Sequence, residues 1–176
     1  MNIYEFKLIF KLPPGKEDAA SHIDALGEAG CDDALIGIGR KGRIALDFAR
    51  EAKSASVAVR SAIRSVRNAI PDAQLVEAAP DFVSITDAAD VAGCTRQNMR
   101  KLSLSNDSTF PTPVHEGSPS IWHLAKVLRW LRDHNGREVD ALLLETADVT
   151  MRINVAREAS QLQDVALPKD LATLIK

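Results

Sequence analysis

Two short runs of small and polar residues on either side of Gly93 constrain this chain more than any other feature. In the run before it, Ala88, Ala89, Val91 and Ala92 give a small apolar face at helical spacing, and Thr86 stands where an N-cap is wanted. Side chains this small let two helices cross closely, where larger ones would hold them apart. Gly93 falls where the first helix must end and the chain reverse, a place that favours positive φ. Thr95 can cap a second helix over Thr95–Leu102, in which Met99 and Leu102, three residues apart, turn back to the core. The pattern predicts a helix-turn-helix.

The second helix leaves Arg96, Gln97, Asn98, Arg100 and Lys101 pointing outward. Arg pairs with guanine, Asn or Gln with adenine, and Lys or Arg with phosphate. From Val91 through Asn106 there is no acidic residue. That local sign suits a polyanion even though the whole chain carries a formal charge of -2, which excludes a generally basic nucleic-acid coat. Further on, Pro111 and Pro113 hold their segment extended, and Glu116-Gly117-Ser118 turns it. Ser120-Ile121-Trp122 then returns toward the core. A hairpin wing over Thr112–Ser118 is expected on the adjacent phosphate backbone or minor groove, with Thr112, His115 and Ser118 as candidate contacts. Leu124, Val127, Leu128 and Leu131 have helical spacing, and Trp122 and Trp130 are assigned to packing rather than base stacking.

The stretch ITDAADVAGCTRQNMRKL, then TFPTPV, then IWHLAKVLRWL, resembles the helix-turn-helix of the MerR, excisionase and AlpA-like group of prokaryotic DNA-binding domains. The likeness covers about the middle third of the chain. It implies a second helix in the major groove, a small Phe-Pro-x-Pro wing and a Trp-bearing helix packed behind. The chain departs from that pattern between Leu102 and Phe110, where Ser, Asn and Asp residues make a longer connection.

Before this unit, the first eighty residues read as an α+β domain. Ile3, Phe6, Leu8 and Phe10 alternate with Glu5, Lys7 and Lys11 as a half-buried strand with a slip at Tyr4, and Pro13-Pro14-Gly15 stops it. Ala19, Ile23, Leu26 and Ala29 predict a helix over Glu17–Gly30. Strands are expected at Ala34–Gly39 and Arg43–Phe48, joined through Arg40-Lys41-Gly42. A hairpin explains Gly37 and Gly39, whose spacing fits no phosphate-binding loop. Ser54 opens a helix with Val57, Val59, Ala62, Ile63, Val66 and Ile70 on one stripe and Arg60, Arg64 and Arg67 on another, read as a solvated face. Ala73–Ala78 is strand-like. The order strand, helix, strand, strand, helix, strand predicts a ferredoxin-like antiparallel sheet over residues 1–80, with a domain boundary at Pro80-Asp81.

The second unit spans residues 81–135, ended by Asn135-Gly136, and a C-terminal helical segment spans 136–176. Glu138 to about Gln163 holds no proline or glycine and reads as one long helix. Leu142, Val149 and Ala156 repeat at seven, with Thr146 and Ile153 between them, as a short heptad seam. The seam can pack on its own N-terminal domain or form a dimer contact. Leu167-Pro168 breaks the pattern, and Asp170–Lys176 is either a further short helix or a frayed tail.

No apolar run approaches the roughly 20 residues that a membrane span requires. The alternating N-terminus lacks the basic start of a signal peptide, and Cys31 and Cys94 lie in different elements without CxxC spacing. A reducing cytoplasm is expected, without disulfide, metal or cofactor. His22, His115, His123 and His134 belong to no converging catalytic motif, so no enzyme is expected. Cys94, beside the second helix, is read as a small packed residue rather than a redox-sensing thiol. The expected function is sequence-specific binding of double-stranded DNA by a homodimeric regulator. A protein-partner adaptor of antitoxin type, or an excisionase-like DNA-bending factor, would use the same features.

Overall fold

The computed structural model describes residues 1–162. It is a mixed α+β structure in which β1 (Asn2–Lys11), β2 (Ala34–Gly37), β3 (Arg43–Ala52) and β4 (Gln74–Ala79) form an antiparallel sheet in the order β2-β3-β1-β4. The inward face of β1 is Tyr4, Phe6, Leu8 and Phe10, with Leu12 just beyond its end, while Ile3 is 60% exposed. The alternation is therefore unbroken, and the slip expected at Tyr4 disappears once Ile3 is placed on the outer face. Phe6 pairs with Phe48 of β3, and the two rings stack at 5.1 Å.

Two helices, α1 (Ile23–Glu28) and α2 (Ala55–Ala69), contribute to the core on the inner face of the sheet. The single helix expected over Glu17–Gly30 is instead a 3-10 turn, Ala19–His22, followed by the short α1. The Asp18 side chain accepts from Ala20 N and starts the turn there, and Ile23 is left 42% exposed. Gly30, at φ 84°, closes α1, and Cys31 N donates to Leu26 O, which drops Cys31 into the core. Burial pushes the Cys31 thiol above its ordinary value, which keeps it protonated and unreactive. Ser54 caps α2 through Val57 N, and Ala55, Ala58, Val59, Ala62 and Val66 face inward. Val57 points out, contrary to its expected place in the stripe. Arg60, Arg64 and Arg67 are exposed. Strand β2 stops at Gly37, short of Gly39, and β3 runs four residues past Phe48 because it pairs along the whole of β1.

The second half comprises α3 (Ile85–Val91), α4 (Arg96–Ser105) and α5 (Leu124–Asn135), with β5 (Phe82–Val83) paired to β6 (Trp122–His123). Their shared core holds Ala88, Ala89, Met99, Phe110, Leu128 and Trp130. Gly136, at φ 62°, ends α5.

The last described helix, α6 (Ala141–Gln161), is a wedge between the two halves. Asp140 caps it by accepting from Leu142 N and Leu143 N, so it starts three residues after Glu138. Leu142, Val149 and Ile153 pack against the sheet core, whereas Leu143, Leu144 and Met151 pack against the other. What reads as a heptad seam is one of two apolar stripes, and both are used within the chain. Ala156 is exposed. Glu145 accepts from Tyr4 Oη at 3.0 Å and from Ala55 N at 2.9 Å, so α6 also supplies an acceptor to the first turn of α2.

The Pro80-Asp81 segment is not an open linker. Asp81 is 1% exposed, with Oδ1 2.7 Å from His123 Nδ1 and Oδ2 2.8 Å from Asn154 Nδ2. Asn154 also bonds the N–H and the C=O of Ala78, satisfying the backbone of that one residue of β4. Thr150 Oγ1 donates to Pro80 O at 2.6 Å. The Leu167-Pro168 break and the Asp170–Lys176 segment lie outside the described residues.

Candidate nucleic-acid interface

The surface is built on two short helices and the loop that faces them. Ser84, not Thr86, caps α3: its hydroxyl accepts from Asp87 N, and the Asp87 carboxylate accepts from Ser84 N at 2.8 Å. Asp87 stands three residues after Ser84, which completes a reciprocal capping box, while Thr86 lies exposed inside the first turn. The bond from the Ser84 hydroxyl, then that from its amide, holds the Asp87 carboxyl below its usual value. A depressed carboxyl favours the folded state above its unfolded pKa, and that contribution is lost as pH falls through the folded one. Ser84→Ala is expected to cost about 1 kcal/mol at neutral pH in chemical denaturation and to flatten the acid limb of the stability profile. An unchanged acid limb would remove the box from the account.

The chain reverses at Gly93, at φ 61°, with Gly93 N donating to Asp90 O and Cys94 N to Ala89 O. No atom crowds a Cβ there, so the backbone conformation alone demands glycine. Cys94 is half-buried and packs on the second core, as Cys31 does after Gly30 in the first half. Arg137 Nη1 donates to Ala92 O at 3.0 Å and satisfies a carbonyl at the end of α3.

Thr95 caps α4 by accepting from Asn98 N at 3.2 Å. The helix continues past Leu102 to Ser105, and Asn106 Nδ2 then closes it on Leu102 O. Met99 is its one fully buried residue, at 0% exposure, and Leu102 is half-buried. Arg96, Gln97, Asn98, Arg100 and Lys101 are all exposed. Among the described residues none of the three cations forms an ion pair.

Opposite α4 runs the loop from Phe110 to Ser120. Phe110 meets Trp130 edge-on at 5.0 Å and Trp122 at 6.3 Å. Trp130 Nε1 donates to Thr109 Oγ1, and Trp122 Nε1 donates to Pro111 O, so the two indoles pin the start of the loop from inside. Across the loop the only ladder contact among the described residues is the His115–Ile121 bridge. The expected two-stranded wing is thus a loop closed by one pair, because Pro111 and Pro113 have no N–H to give and β6 is already paired with β5.

Between α4 and this loop lies a groove of about 830 Å³. Arg96, Arg100, Ser103 and Leu104 line it from the helix, Thr112 and Ser118 from the loop, and Phe110 and Trp122 between them. Of the residues singled out in the sequence, the groove brings together Arg96, Arg100, Thr112 and Ser118. Thr95, Gln97, Asn98, Lys101 and His115 are exposed outside its lining. His115 rests its ring on Gly117, where a Cβ would come within 2.3 Å of Nε2. Ser103 and Leu104 were missed because the helix was ended at Leu102; their spacing of seven and eight from Arg96 was the available signal. Asp107 and Glu116 also line the groove, so its charge is mixed.

His123 carries no exposed chemistry, being 7% exposed and bonded to Asp81. Among the described residues no group of His, Cys, Asp and Glu could hold a metal, and no helix is long and apolar enough to cross a membrane. No family model matches the chain, and comparison with curated proteins and with solved structures returns no match.

Proposed function

We propose that this protein is a non-enzymatic regulator that binds duplex DNA sequence-specifically as a homodimer. In this reading α3 and α4 are a helix-turn-helix, α4 enters the major groove, and the loop at Thr112–Ser118 is a reduced wing on the adjacent backbone. The sheet order β4-β1-β3-β2, with α1 and α2 contributing to the same core, supports reading the first half as a ferredoxin-like domain. The observation that carries the reading is the polarity of α4: one buried side chain and five exposed residues of base- or phosphate-reading type, three of them cations without an ion-pair partner among the described residues. Arg96, Gln97 and Asn98, in the first turn after Thr95, are placed to read base edges. Arg100 and Lys101 fall one turn later, where the groove wall offers phosphate.

The test is retention of duplex fragments from the upstream region of its own gene, over a range of salt and against scrambled competitor. Arg96→Ala is expected to cost about 1–3 kcal/mol and relax sequence preference, whereas Lys101→Ala lowers the salt slope by about one with little change in preference. Wild-type behaviour of both variants on a preferred fragment would rule out α4 as the reading helix.

A protein partner is the second reading, and two observations favour it. Leu104 is 67% exposed on the groove wall, and Asp107 and Glu116 face the same space, where a phosphate would be repelled. Failure to prefer any fragment over scrambled DNA, together with loss of a co-purifying protein on Leu104→Asp, would establish that reading instead.

A further inference from the structure

We propose that Arg60, Arg64 and Arg67 on α2 form a second, sequence-independent contact to DNA, seated on the phosphate backbone of the duplex that α4 reads. The inference extends the DNA-binding reading above to the first half of the chain and rests on it. Among the described helices, α2 and α4 alone carry three cations and no carboxylate. The three arginines stand at intervals of four and three, which sets them on one stripe, and all three are exposed. A solvated face is served equally well by both signs interspersed, whereas a single-signed stripe gathers a partner of opposite charge.

No carboxylate within the described chain answers that charge, since none of the three arginines forms an ion pair there. The carboxylates of α6, which packs against α2, are already engaged. Glu145 accepts from Tyr4 and Ala55 N, Asp148 pairs with Arg129 and Arg152, and Glu158 pairs with Arg157. Near the end of α1 the helix presents serines instead, Ser61 bonded to Arg50 and Ser65 beside Gly30. The chemistry of the stripe then selects the partner. All three cations are arginine, whose guanidinium fork matches two phosphate oxygens at once. Arg60 and Arg67 lie about 10 Å apart along the helix, and one strand of duplex DNA passes about three phosphates in that length. No aromatic side chain belongs to α2, which argues against single strands held by base stacking and leaves phosphate contact untouched. Because α6 packs on both cores, the stripe is fixed relative to α4, and the second contact depends on the length of the duplex.

The experiment is binding of the full chain across a range of salt to a preferred duplex and a scrambled one, each used long and with its flanks cut back. Wild type is compared with two triple variants, Arg60→Gln with Arg64→Gln and Arg67→Gln, and Arg60→Lys with Arg64→Lys and Arg67→Lys. The glutamine variant is expected to lower the salt slope on long duplex by about 2–3 and to weaken both sequences by the same factor, about tenfold or more. Sequence preference should not change, and the lysine variant should keep the wild-type slope. Cutting back the flanks should cost wild type the same factor and the glutamine variant little, which no effect on folding alone would produce. A wild-type slope in the glutamine variant, or a loss confined to the preferred sequence, would overturn the proposal. Loss of a co-purifying acidic protein from that variant, with DNA binding unchanged, would assign the stripe to that protein instead. A slope that falls on DNA for which wild type shows no preference would sink the sequence-specific reading and leave the stripe standing. A preference that survives with no change of slope would do the reverse.

Discussion

Replacing Asp81 with alanine is expected to lower the unfolding free energy by about 3–5 kcal/mol. The change removes the acceptor of two donors that are themselves buried, His123 Nδ1 and Asn154 Nδ2, on residues no more than 7% exposed. Neither can turn to water, so the loss is the desolvation penalty of the stranded groups as well as the bonds themselves. Asn154 keeps its bonds to Ala78, which limits the damage on the sheet side. For a chain of this size the shift corresponds to a melting temperature lower by about 10 °C. Asp81→Asn should lose less, because His123 can present the other tautomer and accept from the new amide. Since α6 packs on both cores and Asn154 joins Asp81 to β4, the wild-type protein should unfold in one transition by both fluorescence and circular dichroism. A cost below about 1 kcal/mol, or a second transition already present in the wild type, would show that the two halves are not joined through this network.

That network was not legible in the sequence, for a definite reason. Asp81 and Asn154 are 73 residues apart, and nothing near either one announces a polar partner. Proline followed by aspartate reads as a domain boundary, and only the arrival of α6 makes Asp81 part of a buried network. Signals that act within one turn of chain were read more surely. Ser54 and Thr95 cap the helices that their hydroxyls can reach, and Gly93 and Gly136 adopt the positive φ that ends a helix. Where two local signals compete, the sequence is ambiguous. Ser84 and Thr86 are both able to cap, and the carboxylate three residues beyond Ser84 decides between them. Ile3 and Tyr4 are both apolar, and parity along β1 decides which faces in. Two apolar stripes on α6 resemble one seam because Leu142 and Leu143 are adjacent in sequence yet face different cores. On α4 the exposed polar set was legible because a single methionine anchors the helix. The groove beside it was not, because it depends on where the loop that begins five residues beyond the helix is held.

Met99→Ala is expected to cost about 2–5 kcal/mol, with the damage centred on α4. Met99 is fully buried between α3, α4 and their shared core, and no other residue of α4 is buried to that degree. The remaining attachments are the half-buried Leu102 at the edge of the same core, and the Thr95 cap and Asn106 closure, which are local to the helix. Truncating the anchor leaves a cavity on one side and a helix with an almost wholly polar surface on the other. Such a helix of ten residues has little reason to persist alone. Amide exchange across α4 should therefore accelerate far more than exchange in β1 and β3, where the sheet core is untouched. Leu104→Ala on the same helix is the matched control, since that side chain is mostly exposed and its loss should change stability by less than about 0.5 kcal/mol. If α4 reads DNA, Met99→Ala will abolish sequence preference at a temperature where the sheet is still folded, because preference needs the side chains held in one register on the groove. Retention of full exchange protection in α4 would mean that the cap and Leu102 hold the helix by themselves, and the surface would then be far more rigid than its single anchor implies.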